Sequence, residues 1–426
     1  MERKNHLILY IILLAGLLSL HPQSLLAQIT PPQHLDSFVK KVRTQFNVPG
    51  ISLAIVKDGE VVTAKGYGIR EIGKPAPVNA QTLFGIASNT KAFTATALGI
   101  LVEEGKIEWD APVIKYLPWF KLSDPYVTHE ITVRDLLVHR SGLGLGAGDL
   151  LWWPGTTYSR EEIVRRLRYV PLATGFRSAY AYDNVLYMVA GEVIEAVSGQ
   201  SWEDFVANRI LAKIGMNDSN VRHSDAAEGP NAATPHAPIN GEVQPVQPFT
   251  GDVTNPAGGI NASARDMAKW LIVQLDSGRV DQNTRLFTPQ TTRQLWSVVT
   301  PMPIGDRPPS IEILKPQFKG YGLGFILRDY RGYKIVTHTG SLPGYVSKVT
   351  MIPELKLGVA VLTNQESKSA YKAITYHILD YYLGTPNKDW ITAFKKADKF
   401  HQSKTDLSEE KITLKRDSTL GPSLPI

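Results

Sequence analysis

Ser88 and Lys91 combine a hydroxyl group and an amine at a spacing that can support chemistry. Ser88 opens the apolar segment 85–105, GIASNTKAFTATALGILVEEG, and Lys91 follows three residues later. Residues three apart share a helix face, so the Lys91 amine can reach the Ser88 hydroxyl. Burial lowers the pKa of a lysine, and a neutral amine can accept a serine proton. The pattern predicts Ser88 as a nucleophile that attacks a carbonyl group, with Lys91 as its base.

The Ser-x-x-Lys spacing is weak evidence by itself, because the chain repeats it. Ser37–Lys40 lies on the polar side of a predicted N-terminal helix, and Ser408–Lys411 lies in a charged tail. Of these, only Ser88 starts a long apolar helix, where unpaired backbone N–H groups and the helix dipole favour negative charge. A lysine that extends to solvent is the alternative interpretation of Lys91.

Two further motifs supply groups that acyl transfer needs beside a nucleophile. Tyr182-Asp183-Asn184 precedes an apolar helical pattern and offers a phenol as a second proton carrier. His338-Thr339-Gly340 ends the strand pattern YKIVT, where donors for an oxyanion could stand. Simple packing is the alternative role of Tyr182 and His338.

The order of these motifs resembles that of the serine β-lactamase/penicillin-binding protein superfamily, in particular its class C-like branch. That branch includes D-aminopeptidases, D-Ala-D-Ala carboxypeptidases and small-ester hydrolases. Three other stretches agree with it: LLVHRSGL (136–143), NPAGGINASARDMAKWL (255–271) and GSLPGY (340–345). The resemblance covers about residues 33–383, and several motifs in one order make it far more specific than any single motif.

The resemblance implies a role for each matching residue. Ser88 would be the nucleophile and Lys91 its activating base. Tyr182 would share the proton transfer, either as a phenolate or as a hydrogen-bond relay held by Lys91. Asn184 would donate to the amide carbonyl of the substrate. Acylation of Ser88 would then be followed by attack of water on the acyl-enzyme.

The resemblance also implies that one strand lines the other wall of the site, with His338, Thr339, Gly340 and Ser341. The backbone N–H groups of Ser88 and Ser341 would form the oxyanion hole. β-Lactamases and penicillin-binding proteins typically carry Lys-Thr-Gly at this strand. With an ordinary pKa of about 6.5, His338 would be largely neutral at pH 7 and able to donate to Tyr182 or to the substrate. His139 in LLVHRSGL is interpreted as a structural histidine that bonds to backbone.

Strand and helix signals predict an α+β fold, an α/β sandwich. A helix over 33–47, two strands around Asp58-Gly59 and four strand patterns within 321–365 flank a mostly helical middle. This layout predicts one antiparallel sheet built from both chain termini, with an inserted helical lobe, as the resemblance also implies. The loops 144–160 and 222–254 are expected to shape the pocket, and Trp152-Trp153-Pro154 is either a substrate wall or loop packing.

The two ends of the chain predict export and a tail. Residues 1–27 have a charged start, an apolar run and a small residue at Ala27, which is typical of a signal peptide; an uncleaved anchor is the alternative. We expect the hydrolase domain at 28–385 and a charged helix or linker at 386–426. The protein would be periplasmic or secreted, in a bacterium. The chain has no cysteine, which excludes disulfides, a thiol nucleophile and a cysteine metal site.

These features predict an exported serine hydrolase that acts through an acyl-enzyme on amide or ester bonds. A D-amino-acid peptidase, a carboxypeptidase or an esterase with weak β-lactamase activity fits best; the alternatives are a β-lactamase and a non-catalytic penicillin- or peptide-binding sensor or scaffold. We expect no cofactor and no metal, and a small peptide or ester as partner, peptidoglycan-derived ones included. The net charge is +6 without a basic cluster interleaved with aromatic residues, which argues against nucleic acid. The Gly-x-Ser-x-Gly elbow of α/β-hydrolases is absent from the sequence.

Overall fold

The computed structural model describes residues 29–227, 229–386 and 388–419; the predicted signal peptide lies outside them. An antiparallel sheet of eight strands has the order β2-β1-β12-β11-β10-β9-β8-β7, and two small two-stranded sheets pair β3 with β6 and β4 with β5. The strands are β1 Gly50–Lys57, β2 Glu60–Gly68, β3 Phe84–Gly85, β4 His236–Ile239, β5 Glu242–Pro245, β6 Asn261–Ala262, β7 Thr300–Pro301, β8 Lys319–Tyr321, β9 Ile326–Tyr330, β10 Tyr333–Leu342, β11 Tyr345–Ile352 and β12 Leu357–Thr363.

Helices cover both faces of the large sheet, and most of them lie in the middle of the chain. Among the described residues, no helix is both long and apolar enough to span a membrane. The helices are α1 Leu35–Gln45, α2 Thr90–Glu103, α3 Pro125–Glu130, α4 Arg160–Arg166, α5 Val185–Ser198, α6 Trp202–Val206, α7 Ala212–Ile214, α8 Asn255–Gly258, α9 Ala264–Leu275, α10 Pro289–Leu295, α11 Lys368–Tyr382 and α12 Trp390–Thr419.

Strands from the N-terminal and C-terminal parts of the chain pair with each other in the sheet. β1 pairs with β12 in the register Ile51↔Thr363, which confirms the predicted sheet of both termini. The β1–β2 turn places Asp58 at φ 53° and Gly59 at φ 84°, as the Asp-Gly pair predicts for a tight hairpin. The expected α+β fold with an inserted helical lobe is therefore confirmed.

Two hydrophobic cores lie on opposite faces of the sheet. Alternate residues of β1 point to opposite faces, so Ala54 and Val56 join the core under the helical lobe, while Leu53 and Ile55 join the core under α1, α11 and α12. β1 is consequently buried along its whole length and reads as an unbroken apolar run.

The tail begins with a helix that packs on the rest of the chain. Trp390, Phe394 and Ala397 of α12 are buried in the second core. The Trp390 indole N–H donates to Asp380 Oδ2 at 2.8 Å, which fastens α12 to α11. The predicted helix is thus present and its first two turns complete the second core. The proposed domain boundary at residue 385 stays a prediction.

Candidate active site

Ser88 lies in a short 3₁₀ turn, Ala87–Asn89, that leads directly into α2. The preceding residue, Ala87, has φ 50°, a left-handed conformation that is uncommon for a residue with a side chain. The Asn89 side-chain amide donates to Ser347 Oγ at 2.7 Å and fastens the turn to β11. A turn held in this way fixes the direction of the Ser88 hydroxyl.

Gly340 allows β10 to lie directly against this turn. A Cβ atom at Gly340 would stand 2.0 Å from the Ile86 carbonyl oxygen and 3.0 Å from the Ala87 Cβ. Only glycine permits so close an approach between the two backbones. The predicted strand motif is therefore placed beside Ser88.

Lys91 is fully buried, and three groups surround its amine. Nζ lies 3.2 Å from Ser88 Oγ, 2.8 Å from Asn184 Oδ1 and 2.9 Å from the Ala257 carbonyl oxygen. A neutral amine has two N–H groups and one lone pair. The two acceptors take the two N–H groups, which leaves the lone pair for the Ser88 hydroxyl.

Burial makes the neutral form of Lys91 accessible near pH 7. Burial lowers the pKa of Lys91 to about 7, against the opposing effect of the negative charges of Asp183 and Asp149. The alternative of a lysine extended to solvent is wrong, because this side chain is among the largest fully buried ones.

Tyr182 completes the arrangement around the serine. Its hydroxyl donates to Ser88 Oγ at 2.7 Å, and Lys91 Nζ lies 4.9 Å from the centre of its ring. Burial raises the pKa of Tyr182 well above its ordinary value of 10. Of the two predicted forms, the neutral hydrogen-bond relay fits this site and the phenolate does not.

Asn184 stands at the start of α5, but its side chain does not cap the helix. Its Oδ1 accepts from Lys91, and its Nδ2 lies 3.4 and 3.3 Å from the two carboxylate oxygens of Asp149. The expected donor to a substrate carbonyl is thus engaged by Asp149. The side chain still lines the cavity in front of Ser88.

His338 is placed differently from the expectation. Its Nδ1 bonds to the Thr339 carbonyl at 2.8 Å and its Nε2 bonds to the Tyr321 hydroxyl at 2.8 Å. Nδ1 must carry the proton to donate to a carbonyl, so Nε2 accepts from Tyr321. Both ring nitrogens are therefore paired, so the expected donation to Tyr182 is wrong, and the expected donation to a substrate stays a prediction. Burial, with a smaller effect of Lys91, lowers the pKa of His338 to about 3, so the ring is neutral far below pH 6.

A cavity of about 390 Å³ opens in front of these groups. Ser88, Tyr182, Asn184 and the strand residues His338, Thr339, Gly340 and Ser341 all line it. Four aromatic residues also line it: Trp152, Tyr180, Phe249 and Tyr371. Of the tryptophan pair left open above, Trp152 is therefore a wall of the cavity, and both expected loops contribute to it.

The Ser37–Lys40 match lies away from this cavity. Ser37 Oγ donates to the His34 carbonyl at 2.7 Å on an exposed face of α1. The side chains of Ser408 and Lys411 are not among those that the structure describes. Geometry thus separates Ser88–Lys91 from Ser37–Lys40, which spacing alone could not do.

Sequence reasoning missed several groups that hold the site together. Asp149, the Ala257 carbonyl and Tyr321 each bond to a predicted site residue, and no short motif identified them. His139 was predicted to bond to backbone, and its Nδ1 accepts from the Asp183 N–H at 3.3 Å. In the sequence, Ala257 is indicated only by its place in the NPAGG stretch, and Asp149 only by its place in the loop 144–160.

The sequence model of the Beta-lactamase family matches residues 35–382. The chain therefore belongs to the Beta-lactamase family, which confirms the resemblance drawn from the motifs. It is 30% identical over 369 residues to "Unguisins hydrolase ungD" of Aspergillus violaceofuscus (strain CBS 115571), a match that covers 81% of this chain and 63% of that protein. The chain thus spans less than two thirds of the length of this relative.

Two solved structures have similar folds. The octameric penicillin-binding protein homologue from Pyrococcus abyssi is 31% identical with a TM-score of 0.69, and the match covers 83% of this chain and 77% of that one. The D-amino acid amidase from Ochrobactrum anthropi SV3, solved with L-phenylalanine amide, is 23% identical with a TM-score of 0.66, covering 83% and 98%. At that identity the second likeness concerns the fold alone.

Proposed function

We propose that this protein is a serine hydrolase that cleaves amide or ester bonds through an acyl-enzyme on Ser88. One observation carries the proposal: the Lys91 amine has an acceptor for each of its two N–H groups and lies 3.2 Å from Ser88 Oγ. This arrangement suits a neutral amine that accepts a proton. A lysine that only stabilised the fold would have no need of a buried, neutral amine beside a serine hydroxyl.

In acylation, Ser88 Oγ bonds to the substrate carbonyl carbon while its proton passes to Lys91 Nζ. The tetrahedral oxyanion would accept from the backbone N–H groups of Ser88 and Ser341. Tyr182, bonded to Ser88 Oγ, stands where it can relay a proton to the leaving amine or alcohol as the carbonyl–heteroatom bond breaks. In deacylation, water bonds to the carbonyl carbon and passes a proton to neutral Lys91. The bond between that carbon and Ser88 Oγ then breaks, the acid product leaves, and the proton returns from Lys91 to Ser88 Oγ.

For the substrate we propose a D-amino-acid amide, a short peptide with a D-residue or a small ester, with β-lactams as poor substrates. The aromatic wall of the cavity suits an apolar side chain. Neutral, fully paired His338 offers no cation to a substrate carboxylate at the place where β-lactamases typically carry lysine. The fold shared with a D-amino acid amidase is compatible with this class. We propose export to the periplasm or the medium from the signal pattern of residues 1–27.

A fluorophosphonate probe and a substrate panel together test the proposal. The probe should form a Ser88 Oγ–phosphorus bond with loss of fluoride, located by peptide mass spectrometry. Ser88→Ala should abolish labelling, whereas Ser37→Ala, a matched serine on α1, should label like the wild type. The panel of D- and L-amino-acid amides, p-nitrophenyl esters and nitrocefin should show turnover of amides or esters and little of nitrocefin.

Three results would contradict the proposal in different ways. A probe that leaves Ser88 unlabelled would remove the nucleophile and favour a binding scaffold. Labelling of Ser88 without turnover of any substrate in the panel would favour a penicillin- or peptide-binding sensor. Efficient nitrocefin hydrolysis, near 10⁶ M⁻¹s⁻¹ on the scale of good enzymes, about 10⁴ to 10⁸ M⁻¹s⁻¹, would instead identify a β-lactamase.

A further inference from the structure

The Asn184 amide is held at both of its ends. Its oxygen faces the Lys91 amine at 2.8 Å, and its nitrogen faces the Asp149 carboxylate at 3.3 and 3.4 Å. Rotation of the amide by half a turn would set its N–H groups against Lys91 and its oxygen against a carboxylate. Asp149 offers only acceptors, so it permits one orientation of the amide, the one that leaves an acceptor for the base.

Asp149 is itself fixed by the loop that carries it. It begins the 3₁₀ turn Asp149–Leu151, and its Oδ1 accepts from the Trp152 indole N–H at 3.2 Å. The loop is also tied to the nucleophile's surroundings, because the Gly146 N–H donates to the Tyr182 carbonyl at 2.9 Å. A continuous chain of hydrogen bonds therefore runs from a cavity wall, Trp152, through Asp149 and Asn184 to Lys91.

Asp149 has no ion pair within the part of the chain that the structure describes. A half-buried carboxylate without a cation is costly unless donors compensate it, and here the donors are two neutral N–H groups. Burial raises the pKa of Asp149, while the donors Asn184 and Trp152 and the nearby Lys91 oppose that rise. The free-energy cost of burying the Asp149 carboxylate is explained if this carboxylate influences Lys91.

We propose that Asp149 is a positioning residue, which orients the Asn184 amide toward Lys91 and biases the base through its negative charge. The inference rests on the proposed function, since it assigns to Asp149 an effect on the reactivity of Ser88. It gives Asn184 the role of an acceptor for the lysine.

The charge effect has a definite sign. Charged and titratable groups around Lys91 are Asp149, Asp183, Tyr182, Tyr187, His139 and His338. Burial holds the pKa of Lys91 at about 7, and the Asp149 charge opposes that lowering. Removal of the charge should therefore lower this pKa further. Labelling of Ser88 needs neutral Lys91, so the midpoint of its pH dependence should move to lower pH.

The test measures the rate of fluorophosphonate labelling of Ser88 against pH in Asp149→Asn. We expect the midpoint to move to lower pH, and the rate at the alkaline plateau to fall about 10- to 100-fold, because a misplaced group near the reacting atoms costs that much. Asp149→Glu keeps the charge and should keep the midpoint. Asp281→Asn removes a carboxylate from an exposed turn and serves as the control for loss of charge.

A double-mutant cycle separates positioning from simple support of the fold. If Asp149 positions Lys91 through Asn184, then Asp149→Asn should lower the plateau rate little further in the Asn184→Ala background, while the shift of the midpoint should persist. A fold-supporting role predicts a lower melting temperature, an unchanged midpoint and additive losses.

The outcomes distinguish this inference from the proposed function. Wild-type protein that does not label at Ser88 contradicts the proposed function. Wild-type labelling with an unchanged midpoint and plateau in Asp149→Asn overturns the inference alone. Additive losses in the cycle overturn the route through Asn184.

Discussion

In the proposed mechanism, the reactivity of Ser88 depends on the protonation state of one buried side chain, Lys91. Lys91 has acceptors for two N–H groups, and the Tyr182 hydroxyl supplies a donor to the same serine oxygen. The neutral Lys91 amine can thus accept the Ser88 proton, while the neutral Tyr182 phenol donates a hydrogen bond to Ser88 Oγ. Neither group needs a charge before the substrate arrives, which suits a buried site.

Lys91→Ala should lower kcat/KM by several orders of magnitude, and Lys91→Arg should not restore it. A guanidinium stays protonated at every accessible pH and cannot act as a neutral base. The measurement is turnover of whichever neutral ester or amide the wild type hydrolyses, with circular dichroism to show that both variants fold. Activity of Lys91→Arg near that of the wild type would contradict Lys91 as the base.

The pH dependence should come from Lys91 and not from His338. With the pKa of Lys91 at about 7, kcat/KM for a neutral substrate should rise with pH through that value. With the pKa of His338 at about 3, this ring stays neutral throughout the same range. His338→Gln should therefore leave the midpoint unchanged, even where the rate falls. A midpoint that disappears in His338→Gln would show that the histidine titrates there.

At the scale of elements, the candidate site depends on the close approach of β10 to the 3₁₀ turn that carries Ser88. The β3–α2 connection supplies Ser88, and β10 supplies the facing wall only because Gly340 has no side chain. The short pairing of β9 with β10, which reaches Thr337↔Ile326, leaves the following residues of β10 available to line the cavity.

Gly340→Ala should separate this strand from the turn. Its Cβ would meet the Ile86 carbonyl oxygen at 2.0 Å, so one of the two backbones must move. We expect labelling of Ser88 to slow by about 100-fold, since a shift on the order of 1 Å is enough for that loss. Gly305→Ala, at a position with nothing within 4 Å, is the control. Equal labelling rates in both variants would contradict the need for this contact.

Sequence patterns predicted elements and short motifs better than they predicted contacts between them. The Asp58-Gly59 hairpin and the Ser88–Lys91 pair are local, so residue type and spacing were sufficient. The partner of His338 is Tyr321 on β8, and the partner of Asn184 is Asp149 in a long loop. Such pairs depend on how β8 and the loop fold against the site, which no local pattern records.

On the scale of the whole molecule, the sheet joins both ends of the chain while the helical lobe supplies the base's surroundings. The site lies where the two meet, since Ser88 precedes α2 and the Ala257 carbonyl belongs to α8. On the opposite face of the sheet, α12 closes the second core with Trp390. The candidate active site and the packing of α12 therefore lie on opposite faces of one sheet.

Trp390→Ala should lower the stability of the fold, whereas removal of residues 405–426 should leave activity unchanged. The substitution deletes a fully buried indole and its bond to Asp380, which should cost about 3–5 kcal/mol of the free energy of unfolding. The truncation removes residues beyond the last buried side chain that the structure describes in α12, Ala397, and should leave kcat unchanged. Denaturant unfolding and steady-state kinetics check the two expectations. A truncated protein with a lower kcat would show that the tail completes the pocket.

Trapping the covalent intermediate tests the central claim most directly. A slowly turned-over ester substrate is mixed with the enzyme, quenched in acid during turnover and analysed by peptide mass spectrometry. We predict that the acyl mass appears on Ser88 and on no other serine, and that Ser88→Ala shows neither the adduct nor turnover. Turnover without an adduct at Ser88, or turnover by Ser88→Ala at the wild-type rate, would contradict a mechanism that passes through an acyl-Ser88.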